Sequence, residues 1–141
     1  MNGGVVKAIK AVVVAASAVS WLTAPVGILA HHSFAAEFDA AKPVTVSGKV
    51  TELRWTNPHA HIYLEVADGS GTAVPWDFEL GSPNALARRG WSRTSLKPGD
   101  MISVSGYLAK SAAHLANARS VVLADGKTVF AGSSYENGPE K

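Results

Sequence analysis

Apolar residues recur at every second position in one short segment after another between residues 44 and 80. The segment AHIYLEVA, residues 60–67, alternates apolar and polar side chains, and TAVPWDFEL, residues 72–80, repeats the pattern after the turn sequence DGSG. A period of two is that of a β-strand with one buried face, whereas a helix needs a period of about 3.6. The spacing therefore predicts an all-β domain whose apolar rows are Ala60, Ile62, Leu64 and Val66, then Val74, Trp76, Phe78 and Leu80.

The segment before this hairpin predicts a bent strand. In VTVSGKVTELRW, residues 44–55, the alternation runs from Val44 to Val50 and then shifts phase to Leu53 and Trp55. Gly48 lies inside the segment, and a glycine with a phase shift indicates a bulge or a sharp bend. Such a bend lets a small sheet curl on itself. Pro75, in the last of the three strands, favours an edge position or an interrupted ladder.

The second half of the chain adds one helix and two strands. In GSPNALARRGW, residues 81–91, Ser82 is placed as the N-cap, Pro83 as the first helical residue and Gly90 as the residue after the helix. MISVSGYLA and ANARSVV then predict two strands. Three strands, a short helix and two further strands form the element order of an OB-fold, a five-stranded, partly open barrel. A small β-sandwich is the alternative.

The first thirty residues have the composition of a secretory signal. Lys7 and Lys10 precede an apolar run without charges, and the run ends at the small residue Ala30. An uncleaved membrane anchor is the alternative reading, because about 20 apolar residues can span a bilayer. Cleavage predicts a periplasmic or secreted protein with no stable membrane insertion, whose chain begins at His31.

Removal of the leader changes the charge balance. The 13 basic residues include Lys7 and Lys10, so residues 31–141 carry 11 basic and 11 acidic side chains. A chain without a basic excess argues against a nucleic-acid partner. The absence of cysteine excludes disulfides and thiolate metal sites. We expect a monomer made of a signal peptide at 1–30, an arm at 31–42, a barrel at 43–130 and a polar tail at 131–141.

Four sequence stretches carry a family resemblance. AHHSFAAEFD, GKVTELRWTNPHAHIYLEV, GSPNALARRGW and LKPGDMISVSGYLAK together resemble a family of uncharacterised secreted bacterial proteins, a domain of unknown function with a small all-β architecture. The likeness covers most of residues 31–125. It implies export and a small barrel and supplies no activity, so a function has to come from the residues themselves.

The histidines are the first candidates for chemistry. His59 and His61 lie two apart on a predicted strand, so their side chains leave the same face with Cβ atoms about 7 Å apart. Two imidazoles on one face suit copper, zinc, nickel or iron, although solvent-facing strand residues show the same pattern. Cleavage after Ala30 would add the α-amine and the imidazole of His31, which close a chelate ring and with a third nitrogen form a histidine brace. The expected metal is Cu(II), with His32 and His114 as further candidate ligands.

Three other residues are candidates for ligand binding. Asp77 and Glu79 face away from the apolar row of their strand, as an acidic ligand-binding pair or a solvated pair would. Tyr63 belongs to a set of aromatic residues that would form either a stacking platform or part of the core. The leading hypothesis is an exported binding module for copper. The alternatives are a metal-free envelope adaptor that binds a protein, glycan or small ligand, and a copper-dependent oxidoreductase.

Overall fold

The structure is a computed structural model, and it describes residues 34–132. The predicted signal peptide, the candidate ligands His31 and His32, and nearly all of the predicted polar tail lie outside these described residues. Within them the fold is all-β with a short helix between the third and fourth strands, as predicted from the sequence, and residues 34–37 form a helical turn before the first strand. The elements are β1 (Phe38–Arg54), β2 (His61–Ala67), β3 (Ala73–Glu79), α1 (Pro83–Ala87), β4 (Met101–Ala109), β5 (Leu115–Val122) and β6 (Thr128–Phe130).

Five of the strands form a ring. The sheet order is β3-β2-β1-β4-β5-β6, and a parallel pairing of β3 with β5 joins the two ends of the five longer strands. That pairing, the β3–β5 seam, joins Asp77 to Leu115, Phe78 to Ala116 and Glu79 to Asn117. The small sixth strand extends the sheet beside the second half of β5 and was not predicted from the sequence. The ring and the helix position agree with the OB-like prediction.

Strand β1 is shared between the two sides of the ring. Its first part pairs with β4 and its last part with β2, and Lys49 is paired with both neighbours. The register with β2 shifts between Val50 and Glu52, just beyond Gly48, so the predicted irregularity in this strand is confirmed. A Cβ at Gly48 would lie 2.5 Å from the carbonyl oxygen of Glu65, which explains why a glycine is needed here.

The alternating apolar rows point into the ring and form the core. Ile62, Leu64, Phe78, Val104 and Val121 are each at most 1% exposed. Such burial contributes about 1.5–3 kcal/mol for each large apolar side chain, so these rows fix which face of every strand turns outward. The predicted alternation of β2 and β3 therefore determines where their polar residues lie.

The helix and the segment after it complete the domain. Ser82 accepts a hydrogen bond from the backbone N–H of Ala85 at 3.3 Å, and Gly90 has a φ of +89°, which agrees with their predicted capping roles. The indole N–H of Trp91 donates to the carbonyl of Phe130 at 2.8 Å and ties this segment to β6. Within residues 34–132, no helix is long and apolar enough to cross a membrane.

Candidate functional site

The outward face of β2 and β3 carries a polar cluster that we call the histidine face. Because Ile62, Leu64 and Phe78 point into the core, their sequence neighbours on both strands point outward. The end of β1 adds residues on one side of this surface, and β5 adds one on the other side. His59 was expected on the same strand as His61, but β2 begins at His61, so His59 lies two residues before the strand. The histidine face consists of Glu52, Arg54, His59, His61, Tyr63, Asp77, Glu79 and Asn117.

Two histidines on this face are each paired with a carboxylate. The Nδ1 atom of His59 lies 3.0 Å from Oε1 of Glu79, and Nδ1 of His61 lies 2.8 Å from Oδ1 of Asp77. An ionised carboxylate only accepts hydrogen bonds, so each ring donates its Nδ1–H. In a neutral ring held this way, Nε2 carries the lone pair. The structure thus joins four residues that were predicted separately from the sequence as candidate ligands.

The register of the β2–β3 hairpin creates these pairs. His61 is directly opposite Glu79, and Tyr63 is directly opposite Asp77. The histidine–carboxylate contacts therefore run diagonally, a geometry that long side chains on adjacent strands can reach. The hairpin turn fixes the register through Asp68, whose carboxylate accepts hydrogen bonds from the N–H groups of Ser70 and Thr72.

The two pairs are partly sheltered from solvent. The exposed fractions are 41% for His59 and 16% for Glu79, against 24% for His61 and 31% for Asp77. Glu79 also accepts a hydrogen bond from Nδ2 of Asn117 at 3.4 Å, across the β3–β5 seam. Asn117 is only 5% exposed, so this contact extends the histidine face into the buried part of the fold.

Tyr63 connects the histidines to a charged group at the end of β1. Its ring is stacked with that of His61, with centroids 6.1 Å apart, and its hydroxyl accepts a hydrogen bond from Nη1 of Arg54 at 2.8 Å. Burial, followed by the negative charge of Asp77, raises the pKa of Tyr63 above its ordinary value of 10.0. The pKa of Arg54 is raised too, chiefly by its hydrogen bond to Glu52. Tyr63 is therefore a neutral phenol at physiological pH.

His114 is exposed and immediately precedes β5. Its ring centroid lies 5.1 Å from that of Trp76, a residue of the apolar row of β3. Its carbonyl accepts the backbone N–H of Asp77 at 2.9 Å, which places the main chain of His114 beside the His61–Asp77 pair. The structure does not include its imidazole in either histidine–carboxylate pair.

The described part of the chain holds no group of three or more histidine, cysteine, aspartate or glutamate side chains arranged to bind a metal. The histidine face supplies two imidazoles, and their carboxylate partners are already engaged with Nδ1. Within the described residues, the histidine face therefore offers a metal ion two imidazole ligands.

Three members of the histidine face are not among the site residues predicted from the sequence. The sequence predicts Glu52 and Arg54 only as part of the first strand, and Asn117 only as part of the last predicted strand. Arg54 could have been found from the hairpin pattern, because the outward positions of β1 lie beside those of β2. Asn117 had no such signal, since the pairing of β3 with β5 joins segments 38 residues apart.

Comparison with protein families gives a match. A model described as Family of unknown function (DUF6152) matches residues 19–117, which is well over half of the chain. No curated protein matches the sequence.

Proposed function

The chain belongs to the DUF6152 family, whose description names no activity, and from its own residues we propose that it is an exported binding module for Cu(II). His61 on β2 and His59 just before it are two of the ligands in this proposal, and the α-amine and imidazole of His31 complete the site after signal-peptide cleavage. The protein acts in the periplasm or outside the cell. His32 and His114 are auxiliary ligands.

The observation that carries this proposal is the pair of histidine–carboxylate contacts. Histidines that bind metals usually donate their second ring N–H to a carboxylate or a carbonyl, which fixes the tautomer and the ring orientation. Here Glu79 and Asp77 hold Nδ1 of His59 and His61 at 3.0 and 2.8 Å. This arrangement favours Nε2 as the ligand atom on two side chains, that of His61 at the start of β2 and that of His59 two residues before it.

The ligand chemistry favours copper among the divalent metals. The chain has no cysteine, so any transition-metal site has to use nitrogen and oxygen ligands. Imidazole and amine nitrogens suit Cu(II), which also heads the affinity order of the first-row divalent ions. Two imidazoles alone would leave the ion weakly held, and an amino-terminal histidine would add two nitrogens without requiring any further strand residue.

A Cu(II) titration followed by electron paramagnetic resonance tests the proposal. The natural mature protein, beginning at His31, is compared with a chain that carries one additional methionine before His31. The extension converts the α-amine of His31 into an amide, so we expect at least a tenfold weaker affinity, equivalent to about 1.4 kcal/mol, and a changed spectrum. Identical spectra and affinities for the two chains would contradict the role of His31.

Substitutions on the histidine face test the other half of the site. His61→Ala and His59→Ala are each expected to weaken Cu(II) binding and to leave the melting of the apo protein nearly unchanged. His114→Ala, which removes an auxiliary ligand, should have a smaller effect. If the His59 and His61 variants bind Cu(II) as tightly as the unaltered mature protein, the role of these two histidines as ligands is refuted.

A further inference from the structure

An open groove of about 440 Å³ crosses the outer surface of β1, β4, β5 and β6. Four outward side chains lie in one row across these strands, because the register places Thr45 opposite Ser105, Ser105 opposite Ser120, and Ser120 opposite Phe130. The groove thus has a floor of three hydroxyl groups and an aromatic ring at one end. The histidine face uses β2, β3 and other residues of β1 and β5.

A bulge in β5 places a cation in this groove. The pairing of β4 with β5 passes from Ser105–Ser120 directly to Gly106–Ala118, which leaves Arg119 as the additional residue. Bulges redirect side chains and are frequent beside binding sites. A Cβ at Gly106 would overlap the carbonyl oxygen of Asn117, so the close approach of the two strands at this bulge requires glycine.

The guanidinium of Arg119 is held in position without being neutralised. Its Nη1 donates to the hydroxyl of Tyr107 at 2.8 Å, and both side chains line the groove. No carboxylate of residues 34–132 forms an ion pair with Arg119, and neither aspartate nor glutamate lines the groove. Phe130, also in the lining, is itself covered by the guanidinium of Arg89, which lies 4.0 Å from its ring centroid. An anionic group is the complement of this environment.

From this geometry we infer that the groove binds an anionic saccharide, with Arg119 on the charged group and Thr45, Ser105 and Ser120 on the sugar hydroxyls. The volume lies in the range of small-molecule sites, and the open shape suits part of an extended chain better than a small ion. Serine and threonine hydroxyls both donate and accept hydrogen bonds, as sugar recognition requires. The half-buried ring of Phe130 supplies an apolar wall.

Isothermal titration calorimetry of the mature protein, in buffer with a chelator and without copper, tests this inference. The probes are a trigalacturonate as the carboxylated saccharide, a sulfated disaccharide, neutral maltotriose, and acetate and inorganic phosphate as simple anions. We expect at least one anionic saccharide to bind ten times more tightly than maltotriose and than either simple anion. The two anionic saccharides distinguish a carboxylate from a sulfate as the group that Arg119 recognises.

Variants locate the site. Arg119→Gln should weaken binding of the anionic saccharide at least tenfold, Arg119→Lys should weaken it less, and Ser105→Ala should weaken it severalfold. Arg93→Gln, on an exposed loop, is the matched control and should bind normally, as should His61→Ala. Thermal melting checks that each variant is folded. Failure of both anionic saccharides to bind, equal binding of maltotriose or of a simple anion, or full affinity in a folded Arg119→Gln variant would overturn the inference.

Discussion

The substitution Asp77→Asn isolates the contribution of one charge to the histidine face. It keeps the shape of the side chain and an acceptor oxygen beside Nδ1 of His61, which lies 2.8 Å from Oδ1 in the structure. Because His61 and Asp77 are 24% and 31% exposed, solvent screens the pair, and its net contribution to stability is about 1 kcal/mol or less. The native state of a domain is stable by about 5–15 kcal/mol, so we expect the variant to remain folded.

Tyr63 reports the loss of that charge without any metal. Burial is the largest cause of its raised pKa, and the charge of Asp77 is the next. A nearby negative charge disfavours the phenolate, so its removal should lower the pKa of Tyr63 towards 10.0, while the part due to burial remains. An ultraviolet titration of tyrosinate measures this, with Tyr63→Phe as the reference that separates its signal from those of the other two tyrosines.

The same variant tests the metal proposal. Loss of a carboxylate behind a metal-binding histidine typically weakens the metal site by about 10–100-fold, because the ring orientation and ligand basicity both change. We expect a loss of Cu(II) affinity in this range for Asp77→Asn. The control is Asp125→Asn, on the turn before β6, where the carboxylate accepts the N–H of Lys127. An unchanged titration of Tyr63 would refute the electrostatic argument, and an unchanged Cu(II) affinity would refute the supporting role of Asp77.

Further predictions concern the fold and its response to acid. Gly106→Ala should cost about 1–3 kcal/mol in chemical denaturation because its Cβ would overlap the backbone of β5, whereas Gly69→Ala, with nothing within 4 Å of its Cβ, should cost much less. Phe78→Ala, at a fully buried position, should cost about 3–5 kcal/mol, and Met101→Ala, which is 57% exposed, less than about 0.5 kcal/mol. Hydrogen bonds from a serine hydroxyl and turn N–H groups lower the pKa of Asp68 in the folded state below 3.8. The stabilising effect of the Asp68 carboxylate is therefore complete above pH 3.8 and is lost as the pH falls through the folded-state pKa. Asp68→Asn should therefore lose less stability than the unaltered protein between pH 5 and pH 3, and equal losses would contradict this assignment.

The faces of the strands could be predicted from sequence because burial acts on every second residue. The alternation of Ile62 and Leu64 determined that His61 and Tyr63 face outward, and Ser82 with Pro83 located the helix. Each of these features depends on neighbours within a few positions. The same holds for the irregularity near Gly48, where the glycine and the phase shift lie in one segment.

The contacts between strands could be predicted only in part. The paired positions of β2 and β3 are symmetric about Ser70, so the length of the hairpin already placed Asp77 near His61 and Glu79 near His59. The alternation alone predicts only that these side chains face outward, whereas the pairing also requires the register of the hairpin. The bulge at Arg119 had a weaker local signal, because NARSV contains no glycine and shows only the adjacent polar residues Arg119 and Ser120 as a break in alternation. Strand β6 is too short to show alternation.

The β3–β5 seam makes one contact of the histidine face, that of Asn117 with Glu79, open more readily than the His61–Asp77 pair. The seam consists of three residue pairs, whereas β1 and β4 are joined by eight, so the ring should open first at the seam. Such an opening would release the backbone N–H of Asp77 from the carbonyl of His114 and separate Asn117 from Glu79. The pair of His61 and Asp77 lies within one hairpin and would survive this motion. Amide hydrogens at the seam should therefore exchange with solvent faster than those between β1 and β4. The histidine face would open transiently at the edge formed by Asn117.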